Sequence, residues 1–222
     1  MQADFCMPFF VTVSGKRAET DIIALEGQSY AGKSTCLAAL QRAGYGVIRE
    51  YAEYKTFASP DHFVPLSPEQ AKEDFLLYVD IERQRYQEYL YLRQKQKRTA
   101  VFLDRSIFTL IAYRFAIQAP MDILAWAMET VMSGGVSILY PQHILYIDLP
   151  LSLVKHRHHH AGDHLPTYFM DEIFYERFRS FFLALQASMP TRMTIIDGSD
   201  TAESTLQHIY TVAQARGLLS NV

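Results

Sequence analysis

Eight consecutive residues near the start of the chain, GQSYAGKS at positions 27–34, fit the pattern G-x-x-x-x-G-K-[ST]. The two glycines let the backbone curl so that successive N–H groups point at one anion. The lysine and the serine at the end of the pattern supply a cation for phosphate oxygens and an oxygen ligand for Mg²⁺. The pattern therefore predicts a phosphate-binding loop, or P-loop, with Lys33 on the phosphates and Ser34 on the metal.

The sequence on either side suits such a loop. Residues 21–26 form a short apolar, β-branched run that is typical of a buried strand. Residues 34–42 contain no helix breaker and Gly44 follows, so a helix is predicted there. A P-loop needs a strand before it and a helix N-terminus after it. The predicted cofactors are ATP and Mg²⁺, and the predicted cofactor-binding residues are Gly27, Gln28, Ser29, Tyr30, Ala31, Gly32, Lys33, Ser34 and Thr35.

The rest of the chain alternates apolar strands with helical segments. Further strands are predicted at 45–51, 100–103, 143–149 and 193–197. Helices are predicted at about 68–97, 108–118, 121–133, 152–159, 168–188 and 201–215, with a loop at 55–68. This alternation predicts an α/β, three-layer P-loop fold with a parallel sheet of about five strands, helices on both faces and a small lid. Residues 1–19 are predicted to be an N-terminal extension, in which 9–13 could add an edge strand, and residues 20–222 a single domain.

The composition of the chain limits which binding partners are expected. A chain of 222 residues, 49% of them hydrophobic, is long enough for one α/β domain with a substantial core. A net charge of −3 argues against nucleic acid or an anionic membrane as the main partner. Two cysteines in unrelated contexts favour a reducing compartment, and no apolar run reaches transmembrane length. The predicted location is the cytoplasm, the predicted partner is a small molecule, and a homodimer stays open.

A charged pair follows the third predicted strand. Asp104 closes the apolar run before it, where a carboxylate can hold a Mg²⁺ ion opposite Ser34. Arg105 places a planar guanidinium at the same rim, which suits a phosphate or a reacting hydroxyl. The alternative interpretation is a salt bridge at the strand end. Because ligands bind at the carboxyl ends of parallel strands, Glu50 at the end of the second strand should lie on the same rim.

Residues 104–114, DRSIFTLIAYR, resemble the thymidylate kinase pattern D-R-Y-x-x-S-x-x-A-Y-Q, from which they differ by Ser106 for Tyr, Thr109 for Ser and Arg114 for Gln. The Asp-Arg-Ser start is also similar to the E-R-S motif of deoxynucleoside kinases. The P-loop start, the strand end IDLP at 147–150 and IDGS at 196–199 are similar to thymidylate kinases as well. Over about residues 20–215 the chain therefore looks like a P-loop kinase of the thymidylate and deoxynucleoside kinase family.

The resemblance implies a kinase that moves the γ-phosphoryl of ATP to a small acceptor, a nucleoside or a nucleoside monophosphate. Two other interpretations stay open: a kinase of a non-nucleotide small molecule, and a P-loop regulator with weak NTPase activity. Thymidylate kinases carry R-E-P after the second strand, whereas this chain has Arg49-Glu50-Tyr51. By analogy with deoxynucleoside kinases, Glu50 would be the general base on a hydroxyl and Tyr54 an aromatic neighbour of the substrate. A monophosphate acceptor needs no base, and Glu50 could also be a solvated strand-end charge.

The acceptor pocket and the lid are matched less completely. On the long helix, Tyr78 and Arg83 resemble residues that contact the base, although an aromatic stripe at this spacing also indicates core. The predicted lid, about residues 155–167, offers Arg157 as a cation over the phosphates, and His158–His160 as a pH-sensitive lid, a metal site or a solvated helix end. The predicted catalytic residues are Lys33, Arg105, Glu50 and Arg157. The predicted substrate contacts are Glu50, Tyr54, Tyr78, Arg83, Arg105 and Tyr113.

Overall fold

A computed structural model describes residues 19–54, 67–133, 137–161 and 167–219 of the chain. Within them five parallel strands form one sheet in the order β2-β3-β1-β4-β5. This arrangement confirms the predicted α/β class and the number of strands. The strands are β1 Glu19–Gly27, β2 Gly46–Ile48, β3 Val101–Asp104, β4 Pro141–Asp148 and β5 Met193–Asp197.

Helices connect the strands and cover both faces of the sheet. They are α1 Lys33–Arg42, α2 Pro68–Gln94, α3 Ile107–Ala116, α4 Met121–Met132, α5 Leu151–Ala161, α6 Glu172–Ser188 and α7 Ala202–Ala215, with short 3₁₀ turns at Tyr51–Tyr54 and Thr167–Met170. In the part of the chain that the structure describes, no helix has both the length and the apolar character needed to cross a membrane.

The core has two parts, one on each face of the sheet. Alternate residues of β1 point to opposite sides, so that Ile22 and Ala24 pack with α2, α3, α4 and α6. Ile23 and Leu25 pack with α1, α5 and α7 on the other side. This double burial explains why β1 is a continuous apolar run rather than an alternating one.

Helix caps explain where the observed boundaries differ from the predicted ones. The α2 helix begins as predicted, because the Ser67 side chain accepts a hydrogen bond from Gln70 N at 3.2 Å with Pro68 in the first turn. The α6 helix begins later than predicted, because Asp171 caps it and residues 167–170 form a 3₁₀ turn. The β2 strand is shorter than predicted and ends at Ile48.

Several predictions fall outside the described ranges. The edge strand at 9–13 and most of the loop at 55–68 are among them. The division into an N-terminal extension and one domain, the cytoplasmic location and the homodimer stay predictions. What the register does establish is a shared rim, because Leu25 pairs with Asp104, Gly27 with Ile147, and β2 ends beside Leu103.

Candidate active site

The P-loop joins β1 to α1. Gly27 and Gly32 have φ angles of 140° and 90°, a conformation that favours glycine. At Gly27 space excludes a side chain as well, because a Cβ would lie 2.5 Å from the carbonyl oxygen of Ile147. Gly32 is the N-cap of α1, and no side chain caps the helix there. The first amides of α1 are therefore left for an anion, as the sequence predicts.

The Lys33 side chain folds back over the loop. Its Nζ donates hydrogen bonds to the carbonyl oxygens of Gly27 at 3.2 Å and Gln28 at 2.8 Å. Burial, together with the nearby Arg105, lowers the pKa of Lys33 to about 8. The ammonium is thus held at some electrostatic cost, which an anion bound on the loop would relieve.

Ser34 and Asp104 form the pair expected of a magnesium site. The Ser34 Oγ donates to Asp104 Oδ2 at 3.5 Å. The other carboxylate oxygen, Asp104 Oδ1, is buried and has no hydrogen-bond partner. Burial raises the pKa of Asp104, while Lys33 and Arg105 oppose that shift. A buried oxygen without a partner beside a serine hydroxyl fits a hard divalent cation, so the residues present suit Mg²⁺.

Arg105 and Glu50 join the ends of β3 and β2. Arg105 is buried, and its Nε donates to Glu50 Oε2 at 3.2 Å while its Nη1 donates to Gly27 O at 2.9 Å. Burial raises the pKa of Glu50, but the attraction of Arg105 and Lys33 outweighs it and holds that pKa below its usual value. The predicted convergence of these residues is therefore present, with an ionised Glu50 carboxylate in the wall of the cavity.

A buried network that the sequence did not reveal supports the Asp104–Arg105 rim. Arg85 on α2 is fully buried and donates to the carbonyl oxygens of Asp104 at 3.2 Å and Arg105 at 2.7 Å. It also donates to Glu82 Oε1 at 2.5 Å, which accepts from the Tyr51 hydroxyl at 2.7 Å. The available signal was Glu82 on the buried face of α2, because a buried carboxylate needs a cationic partner and Arg85 lies one turn away.

Glu26 organises the start of α3 from the neighbouring strand. It is fully buried and accepts hydrogen bonds from Ser106 N at 2.7 Å, from Ser106 Oγ at 2.6 Å and from the Thr109 hydroxyl. Arg105, just before Ser106, has a φ of 64°, in the left-handed region that is costly for a residue with a side chain. Glu26 on one side and Arg85 on the other thus fix the backbone that presents Asp104 and Arg105.

One cavity of about 1280 Å³ extends from the P-loop to α2 and α3. At the phosphate end it is lined by the P-loop from Ser29 to Thr35, together with Asp104, Arg105 and Arg157. Of the predicted cofactor-binding residues, Gly27 and Gln28 do not line it. Gln28 is buried, and its side-chain amide donates to Tyr175 O at 3.3 Å. Gly27 and Gln28 thus contribute to the conformation of the loop rather than to the cavity wall.

At the other end, three of the predicted substrate contacts line the cavity. Tyr54 and Tyr78 contribute from the 3₁₀ turn and from α2, and Tyr113 contributes from α3, where it stacks on Phe174. The structure does not support the prediction that Arg83 contacts the substrate. Arg83 does not line the cavity, and its exposed side chain forms an ion pair with Asp80 on the same helix. Helical periodicity explains this, since Arg83 lies three residues after Asp80 and so shares its exposed face of α2.

Two residues of the predicted lid contact the P-loop directly. Arg157 donates to Tyr30 O at 3.1 Å, Gly198 O at 3.0 Å and Asp200 O at 3.3 Å. The Tyr30 hydroxyl and His158 Nδ1 lie 2.8 Å apart. A catalytic role for Arg157 on the phosphoryl group would require it to leave these carbonyls. Within the described ranges, which omit 162–166, no group of three or more His, Cys, Asp or Glu residues could hold a metal ion.

The structure thus has a parallel sheet in this order, a glycine loop after β1 and an acidic residue at the end of the adjacent β3, which together make a P-loop α/β fold. No protein-family model and no curated protein sequence matches the chain. A solved structure of deoxyadenosine kinase from M. mycoides with bound dCTP does match, with a TM-score of 0.59 and 15% sequence identity, covering 87% of this chain and 99% of that chain. The likeness confirms, for the fold, the predicted resemblance to the deoxynucleoside kinases.

Proposed function

We propose that the protein is an ATP- and Mg²⁺-dependent kinase that phosphorylates a hydroxyl group of a nucleoside. The observation that carries this proposal is the ionised Glu50 carboxylate, fixed by Arg105 in the cavity wall beside the P-loop. A hydroxyl must lose its proton as it attacks phosphorus, whereas the oxygen of a monophosphate is already anionic. Glu50 therefore favours the nucleoside over the nucleoside monophosphate, the two acceptors that the sequence left open.

The residues divide into two sets of roles. The P-loop amides and Lys33 would hold the triphosphate, and Ser34 and Asp104 would hold Mg²⁺. ATP would supply the γ-phosphoryl group, and Mg²⁺ would offset charge on its oxygens. The acceptor oxygen forms a bond to γ-phosphorus as the bond to the ADP oxygen breaks. Glu50 takes the hydroxyl proton, while Arg105 orients Glu50 and adds positive charge where the phosphoryl group passes.

The test is an assay of ADP formation with nucleosides, nucleoside monophosphates and non-nucleotide alcohols as acceptors. We expect transfer to a nucleoside and expect Glu50→Gln to lower kcat roughly 10²–10⁴-fold, the usual contribution of a general base. Glu129→Gln on the exposed face of α4 is the matched control and should leave kcat unchanged.

Three results would contradict the proposal in different ways. Preferential transfer to a monophosphate, unaffected by Glu50→Gln, would assign the protein to the nucleotide kinases. Transfer only to a non-nucleotide alcohol would move the acceptor outside the nucleosides. Slow ATP hydrolysis that no acceptor accelerates would instead support a P-loop regulator.

A further inference from the structure

Two charged side chains at the end of the cavity away from the P-loop lack partners. Arg114 on α3 is only 7% exposed, yet its side chain makes no hydrogen bond and no ion pair among the described residues. Across from it on α2, Asp74 has a buried Oδ2 atom without a hydrogen-bond partner. Both residues line the cavity. Neither has a role in the transfer chemistry proposed above.

Buried polar groups in folded proteins are almost always hydrogen-bonded, because an unpaired one loses its hydrogen bonds to water and gains none in the protein. Burial lowers the pKa of Arg114, and the negative charge of Asp74 opposes that shift only through space. Opposite charges that lie within electrostatic reach but do not pair leave a gap that a ligand of complementary polarity can fill. The buried, unpaired Oδ2 of Asp74, together with an Arg114 side chain that lines the same cavity without a side-chain partner, therefore indicates a contact that the bound acceptor completes.

The position along α3 separates this contact from the phosphates. Arg114 follows the first residue of the helix, Ile107, by seven positions. At about 1.5 Å of rise per residue it lies roughly 10 Å from the helix N-terminus, where Arg105 meets Glu50. A group bound by Arg114 therefore lies further along α3 than the pair of Arg105 and Glu50. An acceptor that reaches both places must be elongated.

The charges and the rings around this end define what fits. Asp74 and Arg114 together carry no net charge, so the pair suits a neutral group that offers a donor to one residue and an acceptor to the other. Phe75, Tyr78 and Phe169 also line the cavity and offer aromatic surface to a flat ring. A carboxylate accepts N–H donors, and a guanidinium donates to carbonyl oxygens or ring nitrogens.

We propose that Asp74 and Arg114 select the acceptor by binding the polar edge of a neutral, planar heterocycle. Asp74 accepts a hydrogen bond from an N–H donor of the ring, and Arg114 donates to a neighbouring carbonyl oxygen or ring nitrogen. This assignment rests on the proposed kinase function for the identity of the acceptor. It goes further in naming the two residues that determine specificity and the edge they require.

The experiment compares each nucleoside with an analogue whose base lacks the N–H donor, such as adenosine with purine riboside or thymidine with N3-methylthymidine. Calorimetry without ATP gives Kd, and steady-state assays separate KM from kcat. For the preferred nucleoside we expect Asp74→Asn and Arg114→Gln to raise Kd and KM about 10–100-fold with little change in kcat. Asp74→Asn should leave the affinity for the donor-less analogue unchanged.

Glu73→Gln, on the exposed side of α2, and Arg42→Gln, at the exposed end of α1, are the matched controls and should change neither constant. Should Arg114→Gln fail to fold, Arg114→Lys keeps the charge, loses the two-pronged donor geometry and should still weaken binding. Equal losses for nucleoside and analogue in Asp74→Asn, or no loss in either variant, would overturn the proposal.

The outcomes also separate this inference from the proposed function. Binding of a nucleoside that depends on Asp74, without transfer to any acceptor, would support the proposed contact and contradict the proposed kinase activity. Transfer to a nucleoside at a rate that neither Asp74→Asn nor Arg114→Gln changes would support the kinase activity and contradict the proposed contact. A wild-type protein that binds no nucleoside at all would overturn the contact.

Discussion

The two ends of the cavity are built in different ways. The phosphate end comes from one continuous loop of glycine-dependent backbone, completed by Asp104 and Arg105 at the end of a neighbouring strand. The other end, which we call the acceptor end because the proposed acceptor would bind there, comes from side chains on the 3₁₀ turn after β2, α2, α3 and the turn at Thr167–Met170, which are far apart in the sequence. The residues of the phosphate end are therefore recognisable from a short stretch of sequence. The residues of the other end come together only when the chain folds.

This difference has a functional consequence. A loop of backbone amides binds any triphosphate, and its geometry does not depend on what is bound at the other end. Side chains collected from several helices can be exchanged singly, and each exchange alters which ring fits. Substitutions at the phosphate end should thus lower activity by the same factor for every acceptor. Substitutions at the acceptor end should change the ratios between acceptors.

The largest effect is expected for Asp104→Asn. The substitution keeps the shape but removes the negative charge that would hold Mg²⁺ with Ser34. We expect kcat/KM to fall about 10³-fold, equivalent to ~4 kcal/mol of transition-state stabilisation, with a higher Mg²⁺ requirement. Mg²⁺ titrations of the rate with two nucleosides measure it, and Asp122→Asn on the exposed start of α4 is the control. A loss confined to one nucleoside would break the division between the two ends.

The next largest effect is on the pH dependence of stability, through the buried ammonium group of Lys33. Its pKa, lowered mainly by burial to about 8 from an ordinary 10.5, means that the unfolded chain binds more protons than the folded one between these values. Stability due to this group therefore rises with pH. Relative to Lys33→Met, the wild type should gain about 2–3 kcal/mol of unfolding free energy between pH 7 and pH 10.

Urea unfolding of both proteins at the two pH values measures this gain. Lys95→Met, at the exposed end of α2, should follow the wild type at both pH values. A wild-type gain no larger than that of Lys33→Met would show that the ammonium is not strained by its burial in the loop.

How much the sequence could predict follows the same division. The strand, glycine loop and helix around Lys33 are each encoded by neighbouring residues, so both the fold class and the phosphate end could be predicted. Asp104, Arg105 and Glu50 were also accessible, because parallel strands bring their carboxyl ends to one rim. The exact boundaries of α6 and β2 depended on a cap at Asp171 and on packing, which periodicity does not show.

The acceptor end was predicted less well because helical register decides it. A shift of one residue on α2 separates Arg83, which is exposed, from Glu82, which is buried. Asp74 carries no local signal, and Arg114 stands out in the sequence only as a departure from the final Gln of the thymidylate kinase pattern. Their significance is that two distant helices place them, unpaired, at one cavity. Arg85 likewise becomes meaningful only when its carbonyl partners at Asp104 and Arg105 are known.

The smallest effect is expected for Tyr51→Phe, which tests how the two ends are joined. The Tyr51 hydroxyl donates to Glu82, whose carboxylate holds Arg85 under the Asp104–Arg105 backbone. Removing one hydrogen bond to a buried carboxylate that keeps its arginine should lower the unfolding free energy by about 1–2 kcal/mol. Because the network supports the phosphate end, kcat should fall slightly and equally for all nucleosides. Tyr91→Phe, 55% exposed on the same helix, is the control for both readouts. If Tyr51→Phe instead changes the ranking of acceptors, the network belongs to the acceptor end, and the division would have to be drawn through α2.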